Sequence, residues 1–331
     1  MGALAGATAQ AAEVNVYSAR HYDVDDALFE KFTAETGIAV NIINGTDDEL
    51  QQRLKAEGAN SPADVYITVD GARLWRAVEA GVFQPAQSKV LDERVPANLR
   101  HPDGLWFGIT KRARVLMVDK AKGVPEGLDS YEDLADPKYK GVCIRSSSNA
   151  YNQSLLGSII AAYGEEKAEE WARGLVANLA RPPQGGDRDQ IKAVAAGECL
   201  VAVANTYYLG GLAVSKDPAD RAVAEKIQVI FPNQTGEGPL GRGTHVNISG
   251  AGVVKTAPNK DAAIRFIEFL TSDEAQKVFS ESNQEYPVVA DEPAPSAVAA
   301  WGSFKEDPLN VAVFGQNSAK AVEIADRAGW K

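Results

Sequence analysis

The stretch ANTYYLG sets Tyr207 and Tyr208 side by side directly after the apolar run CLVAVAN. Two further stretches, RHYDVDD around Tyr22 and SSSNAYNQS around Tyr151, also place a tyrosine where a strand pattern gives way to a helix pattern. Taken singly, a tyrosine at such a junction is a packing residue with its hydroxyl bonded. Four at equivalent junctions suggest a shared task, because the carboxyl ends of strands in open α/β sheets are where ligands bind. Phenolate is a hard oxygen donor. A trivalent iron ion is a hard acceptor whose field can deprotonate a phenol that otherwise titrates near pH 10, and tyrosine ligates iron in other settings. Four phenolates on Fe(III) leave one net negative charge, so a guanidinium nearby would help. Arg20, Arg112, Arg114 and Arg145 are the candidates, each permanently charged and donating in a planar fork.

Other chemistries lack their residues. A G-x-S-x-G elbow, H-E-x-x-H, a Walker A motif and a G-x-G-x-x-G after a strand are all absent. Zinc or copper would call for His and Cys, and the chain has only His21, His101, His245, Cys143 and Cys199. His101 and His245 read as loop and core residues. An enzyme using a tyrosine as acid or base would need a partner constellation that the sequence does not propose. The formal net charge of -11 and pI near 4.9 argue against nucleic acid and anionic membranes as partners. No apolar run approaches the roughly 20 residues that span a bilayer.

The elements that must position these tyrosines follow from periodicity. EVNVYS, IAVNII and ADVYITVD read as strands, and DVDDALFEKFTAETG, TDDELQQRLKAEG and GARLWRAVEAG as helices stopped by glycine. Alternation of this kind implies parallel strands with crossover helices. A long strand-like run WFGITKRARVLMVD leads to a second unit: the strand VCIRSS, a long helical region from Asn149 to about Asn178, the helix GDRDQIKAVAAGE, the strand CLVAVAN, the helix start TYYLGG and the strand KIQVIFP. HVNISGAGVV and two helices in NKDAAIRFIEFLTSDEAQKVFSES then resume the first unit. With 331 residues, 45% of them hydrophobic, and no Ser/Gly/Pro linker, the chain predicts two α/β lobes that exchange chain through ordinary strands. The expected division is 13–110 plus about 236–283 for one lobe and 111–235 plus about 284–331 for the other. Hinges near 107–114 and 230–240 would border a cleft. The N-terminal MGALAGATAQAAEVNVYS ends its small-residue run at Ala9-Gln10-Ala11, the pattern of a secretory cleavage region. Residues 1–12 therefore read as a signal-peptide remnant and the protein as exported to the periplasm. The two cysteines allow a disulfide in that oxidising compartment, or two reduced buried thiols.

These stretches together resemble the ferric-iron-binding periplasmic proteins of ABC transporters, of the FutA/FbpA type. The likeness runs from Val14 over nearly the whole chain and rests on NVYSARHYDVDDALFEKFTAETGI, EGANSPADVYITVDGARLW, GVFQP, GITKRARVLMVD, CIRSSSNAYNQSL, GECLVAVANTYYLG and GTHVNISGAGVVKTAPNK. The resemblance implies the two-lobed α/β periplasmic-binding-protein fold (Venus flytrap, type II). It implies a monomer that holds Fe(III), or Fe(II), between the lobes and delivers it to an ABC permease in the inner membrane without catalysis. Tyr22, Tyr151, Tyr207 and Tyr208 match the family's tyrosine ligands. His21 matches a position that is a ligand in some members and not in others. Arg112 matches a position that balances the phenolate charge. Some members add an acid and an exogenous anion, but here TDDEL reads as a helix cap, with Asp47 and Asp48 near the positive end of the macrodipole; that argues against a synergistic anion. Cys143 opens the strand feeding Tyr151 and Cys199 the strand feeding Tyr207, so a disulfide between them would brace both ligand-bearing turns if those strands are neighbours. The competing reading is an organic-solute-binding protein of the same fold, taking a polyamine, sugar or phosphonate.

Overall fold

The computed structural model describes residues 12–20, 23–290 and 292–331; most of the expected signal remnant lies outside them. The first half of the chain runs β1 (Glu13–Ser18), α1 (Asp23–Thr36), β2 (Ala39–Asn44), α2 (Asp47–Glu57), β3 (Val65–Val69), α3 (Gly71–Glu79), β4 (Phe83–Gln84), α4 (Lys89–Arg94) and β5 (Phe107–Asp119). The second unit follows as β6 (Val142–Cys143), α5 (Ala150–Tyr163), α6 (Glu165–Ala177), α7 (Asp187–Ala195), β7 (Val201–Asn205), α8 (Thr206–Ala213), α9 (Pro218–Glu225) and β8 (Ile227–Ile230). The chain then returns through β9 (Val246–Val254), α10 (Lys260–Leu270), α11 (Asp273–Asn283), α12 (Ser296–Ala299), α13 (Ala312–Gln316) and α14 (Ser318–Ala328).

Local rules account for most of these boundaries. Helix α1 stops at Gly37, whose φ of 71° costs a glycine little. Thr46 caps α2 in a reciprocal pair with Glu49. The helical region expected from Asn149 to Asn178 is two helices. Gly164, at φ 83°, ends α5 and caps α6, and the break lets α6 fold back against α5.

Among the described residues, nine strands form one sheet, ordered β2-β1-β3-β9-β5-β7-β6, with β4 beside β9 and β8 beside β5. The crossover pattern expected from the sequence holds for β2-β1-β3 and for β6-β7, which are parallel. β9 and β5 depart from it, running antiparallel to their neighbours. The reason is topological, since β9 carries the chain back from the second lobe and so crosses the sheet against β3. β5 changes sheet partners along its length. Phe107–Ala113 pair with β9, whereas Arg114 to Asp119 pair with β7 and β8. Period-2 alternation on β7 sends Ala202 and Ala204 to one apolar core and Val201 and Val203 to another, so the strand is buried on both faces.

Three glycines show how closely the C-terminal segment is wedged in. A Cβ on Gly71 of α3 would come within 2.6 Å of the Val311 carbonyl oxygen, and one on Gly157 of α5 within 3.2 Å of the Phe314 carbonyl oxygen. One on Gly315 would run into the Trp75 side chain. Helix α13 thus sits between α3 and α5.

Candidate metal centre

Tyr151 and the pair Tyr207–Tyr208 arrive at one place from two helix N-termini. Asn149 caps α5 by accepting the backbone N–H of Tyr151 at 3.1 Å, which puts Tyr151 in the first turn. β7 ends at Asn205, and α8 begins at once with Thr206, whose hydroxyl accepts the Ala113 N–H at 3.3 Å. The pair therefore leaves the sheet at its carboxyl edge, in a turn where adjacent side chains can converge. The Tyr207 hydroxyl donates to the Tyr151 hydroxyl at 3.2 Å, and the Tyr207 and Tyr208 rings lie 4.2 Å apart. Three phenols thus share one patch. His21 and Tyr22 lie outside the described residues.

The turns that carry these phenols are bolted from beneath. Arg114, buried on β5, donates to Asp187 at 3.0 Å, to Asn205 at 3.0 Å and to Asn152 at 2.6 Å. Asp187 in turn accepts the Asn205 N–H at 2.8 Å, and the Asn152 amide donates to the carbonyls of Arg145 and Ser146 at 2.8 and 3.0 Å. One guanidinium and one carboxylate thereby join β5, α5, α7 and β7. Arg114 orients the site and spends its charge on Asp187. Arg145, half-buried, lies 3.7 Å from the other Asp187 oxygen and favours ionisation of Tyr208. The expected disulfide is present: Cys143 and Cys199 are bonded with Cα atoms 5.9 Å apart, and β6 pairs with β7 as Val142 with Val201 and Cys143 with Ala202.

Arg112 is placed differently. It is 2% exposed, and its Cζ lies 5.3 Å from the centre of the Tyr151 ring. Its Nη1 donates to the Ser249 hydroxyl at 3.3 Å and stands 4.0 Å from a Glu285 oxygen, while its Nε and Nη2 have no hydrogen-bond partner among the described residues. Burial alone would lower the pKa of this guanidinium; Tyr151, Tyr207, Glu285 and Asp70 outweigh that and raise it. Arg20 donates to Glu285 at 2.8 Å, Ser249 at 3.1 Å and Thr110 at 3.3 Å, so it neutralises the carboxylate that would otherwise claim Arg112. The Tyr208 phenol is held above its usual range by burial first, then by Tyr151 and Asp187.

Among the described residues no group of three or more His, Cys, Asp or Glu could hold a metal. The donors gathered here are phenolic oxygens beside a buried cation with donor capacity to spare. That combination suits a hard, highly charged ion, whose field would ionise the phenols while Arg112 offsets the surplus negative charge. His101 accepts the Asp103 N–H at 3.1 Å, and His245 packs 4.5 Å from the Phe314 ring, so both stay out of the cluster. Asp47 is buried and accepts from Tyr66 at 2.5 Å, Thr68 at 2.6 Å and Arg76 at 3.0 Å; it ties α2 to the sheet while Thr46 does the capping. Sequence reasoning missed Glu285, Ser249, Asp187 and Arg188, whose Cζ lies 5.7 Å from the Tyr208 ring. Asp187 reads as an ordinary helix start. Only Glu285, a lone acid in the run QEYPVV, carried a signal that could have flagged it.

A family model for bacterial extracellular solute-binding proteins matches residues 27–306. The iron uptake protein A1 of Synechocystis sp. is 57% identical over 320 residues, covering 96% of this chain and 88% of that protein. Among solved structures, Trichodesmium IdiA (FutA) in complex with iron and citrate ligands matches with a TM-score of 0.92 at 56% identity, covering 96% of this chain and 100% of that one. The ferric binding protein from Campylobacter jejuni matches with a TM-score of 0.88 at 44% identity, again over 96% of this chain and 100% of that one.

Proposed function

Since the chain belongs to the bacterial extracellular solute-binding proteins, we propose that it is the substrate-binding component of an iron ABC importer. It binds Fe(III) and is a carrier of the ion, with relatives named for iron uptake and ferric-iron binding. In this reading Tyr151, Tyr207 and Tyr208 ligate from the second lobe and Tyr22 from the first, with His21 as the fifth candidate. Arg112 balances the phenolates. The lobes, 13–110 with about 236–283 and 111–235 with about 284–331, close on the ion and present it to a permease in the inner membrane. The carrier acts as a periplasmic monomer and catalyses no reaction.

The observation that carries the proposal is the shared patch of Tyr151, Tyr207 and Tyr208 beside Arg112, whose Nε and Nη2 have no partner among the described residues. Phenolate-to-iron charge transfer should colour the ferric-loaded protein. Titration with Fe(III) followed by visible absorbance should therefore give a saturable band that Tyr207→Phe or Tyr208→Phe bleaches or shifts. A protein that stays colourless after ferric loading would overturn the reading, and the same titration under anaerobic Fe(II) measures which oxidation state is preferred.

A further inference from the structure

Asp70 closes β3 and caps α3 from a backbone conformation that non-glycine residues rarely adopt, with φ at 86°. Glycine would sit there more easily. The residue is fully buried, and its carboxylate is used from three directions. One oxygen accepts the Ala72 N–H at 2.8 Å and the Ser154 hydroxyl at 2.7 Å, and the other accepts the Asn247 amide at 2.9 Å. Neutral asparagine, with one carbonyl oxygen, could not match this set, which is a reason for strain to be tolerated at this position.

The three partners lie on three elements. Ala72 belongs to α3, and Asn247 to β9, where it is the register partner of Arg112 on β5. Ser154 belongs to α5 of the second lobe, three residues beyond Tyr151. Residues three apart share one helix face, so a hold on Ser154 fixes both the rotation and the height of the turn that presents Tyr151. The bond sits where α13 already presses α3 and α5 together, at Gly71 against Val311 and Gly157 against Phe314. Ser154 is itself fully buried, so water offers its hydroxyl no substitute.

We propose that Asp70 is a positioning residue for Tyr151: through the Ser154 hydroxyl it registers the Tyr151-bearing helix of the second lobe against the first lobe. The inference rests on the iron-binding reading and sharpens it. Tyr151 is the phenol whose helix is held from both sides, by Arg114 through Asn152 and by Asp70 through Ser154, whereas Tyr207 and Tyr208 follow a strand end held by Arg114 and Asp187.

Ser154→Ala removes the donor and leaves Asp70 its bonds to Ala72 and Asn247. Stopped-flow loss of the ferric charge-transfer band into excess EDTA should then be about tenfold faster than in the wild type, the size expected for one buried hydrogen bond. Asp70→Asn should accelerate release in the same direction. In a Tyr151→Phe background, Ser154→Ala should add nothing, because the residue it positions is gone. Release at the wild-type rate, or an equal acceleration in both backgrounds, would overturn the proposal. A wild type that takes up no Fe(III) would instead sink the iron reading, so a second measurement uses the metal-free protein labelled with 3-fluorotyrosine. Its Tyr151 ¹⁹F resonance, assigned by its loss in Tyr151→Phe, should shift in Ser154→Ala; an unmoved resonance would overturn the positioning role by itself.

Discussion

Arg112 shows at the scale of one residue how the site is prepared for charge it does not yet carry. A guanidinium buried to 2% exposure with two nitrogens unsatisfied among the described residues is costly, and phenolates a few ångströms away would offset that cost. Arg112→Met should therefore lower ferric affinity roughly 100-fold, or about 3 kcal/mol, and move iron loading to higher pH because the phenols become harder to ionise. Arg112→Lys should recover part of the loss. Competition titrations against a chelator at several pH values measure both effects, and unchanged affinity in Arg112→Met would remove Arg112 from its role. The variant should fold, because Arg20 remains 2.8 Å from Glu285 and keeps that carboxylate paired. Tyr151, Tyr207 and Tyr208 were legible in the sequence because each stands at a strand-to-helix junction. Ser249 was not. It meets Arg112 across 137 residues of chain, and nothing in a serine on an apolar strand announces a partner that far away.

At the scale of elements, the tyrosine-bearing turns depend on a short strand. β6 contributes only Val142 and Cys143 to the sheet, and the Cys143–Cys199 bond ties its end to the entry of β7. For a sequence separation of 56 the chain-entropy argument gives about 4 kcal/mol of stabilisation. Reduction, or the Cys143→Ala/Cys199→Ala pair, should lower the unfolding free energy by about that amount and speed iron release. Chemical denaturation with and without reductant checks the first effect. Thiol titration of the denatured, unreduced protein should find no free thiol, and two would refute the pairing. Helices α1 and α3 were readable from their apolar spacing and stop residues, and α10 and α11 from their helical pattern. The break at Gly164 was not, because apolar spacing continues on both sides of it: Leu155, Leu156 and Ile159 precede it, and Ala168, Trp171 and Leu175 follow, all in one core. Strand direction was equally hidden, since a parallel and an antiparallel β9 would bury the same side chains.

Over the whole molecule, on the proposed division the lobes meet at a few crossings, which would bear any relative motion. β5 changes partners between Ala113 and Arg114, and α13 is lodged between α3 and α5. Gly315→Val should push Trp75 away from α13, cost about 1–3 kcal/mol by overpacking, and spread the lobes; small-angle scattering should show a larger radius of gyration, and an unchanged radius would deny α13 its part in setting lobe geometry. His245 lies at the second crossing, just ahead of β9, with its ring against Phe314 and its Nδ1 without a partner among the described residues. Burial, followed by the guanidiniums of Arg114, Arg242 and Arg112, pushes its pKa down to about 3. The unfolded chain takes up this proton below an ordinary histidine pKa near 6.5, whereas the folded protein refuses it until about pH 3. The unfolded state therefore binds more protons throughout that window, so this residue's contribution to stability is complete above about pH 6.5 and shrinks as the pH falls towards 3. The loss is about 1.4 kcal/mol per pH unit, or about 2 kcal/mol by pH 5. His245→Phe keeps an aromatic ring against Phe314 and cannot titrate. Its unfolding free energy should fall less between pH 7 and pH 5 than that of the wild type, by about 2 kcal/mol in denaturant titrations. Equal losses in the two proteins would mean that the crossing admits the proton, and that burial there is too loose to hold the lobes in register.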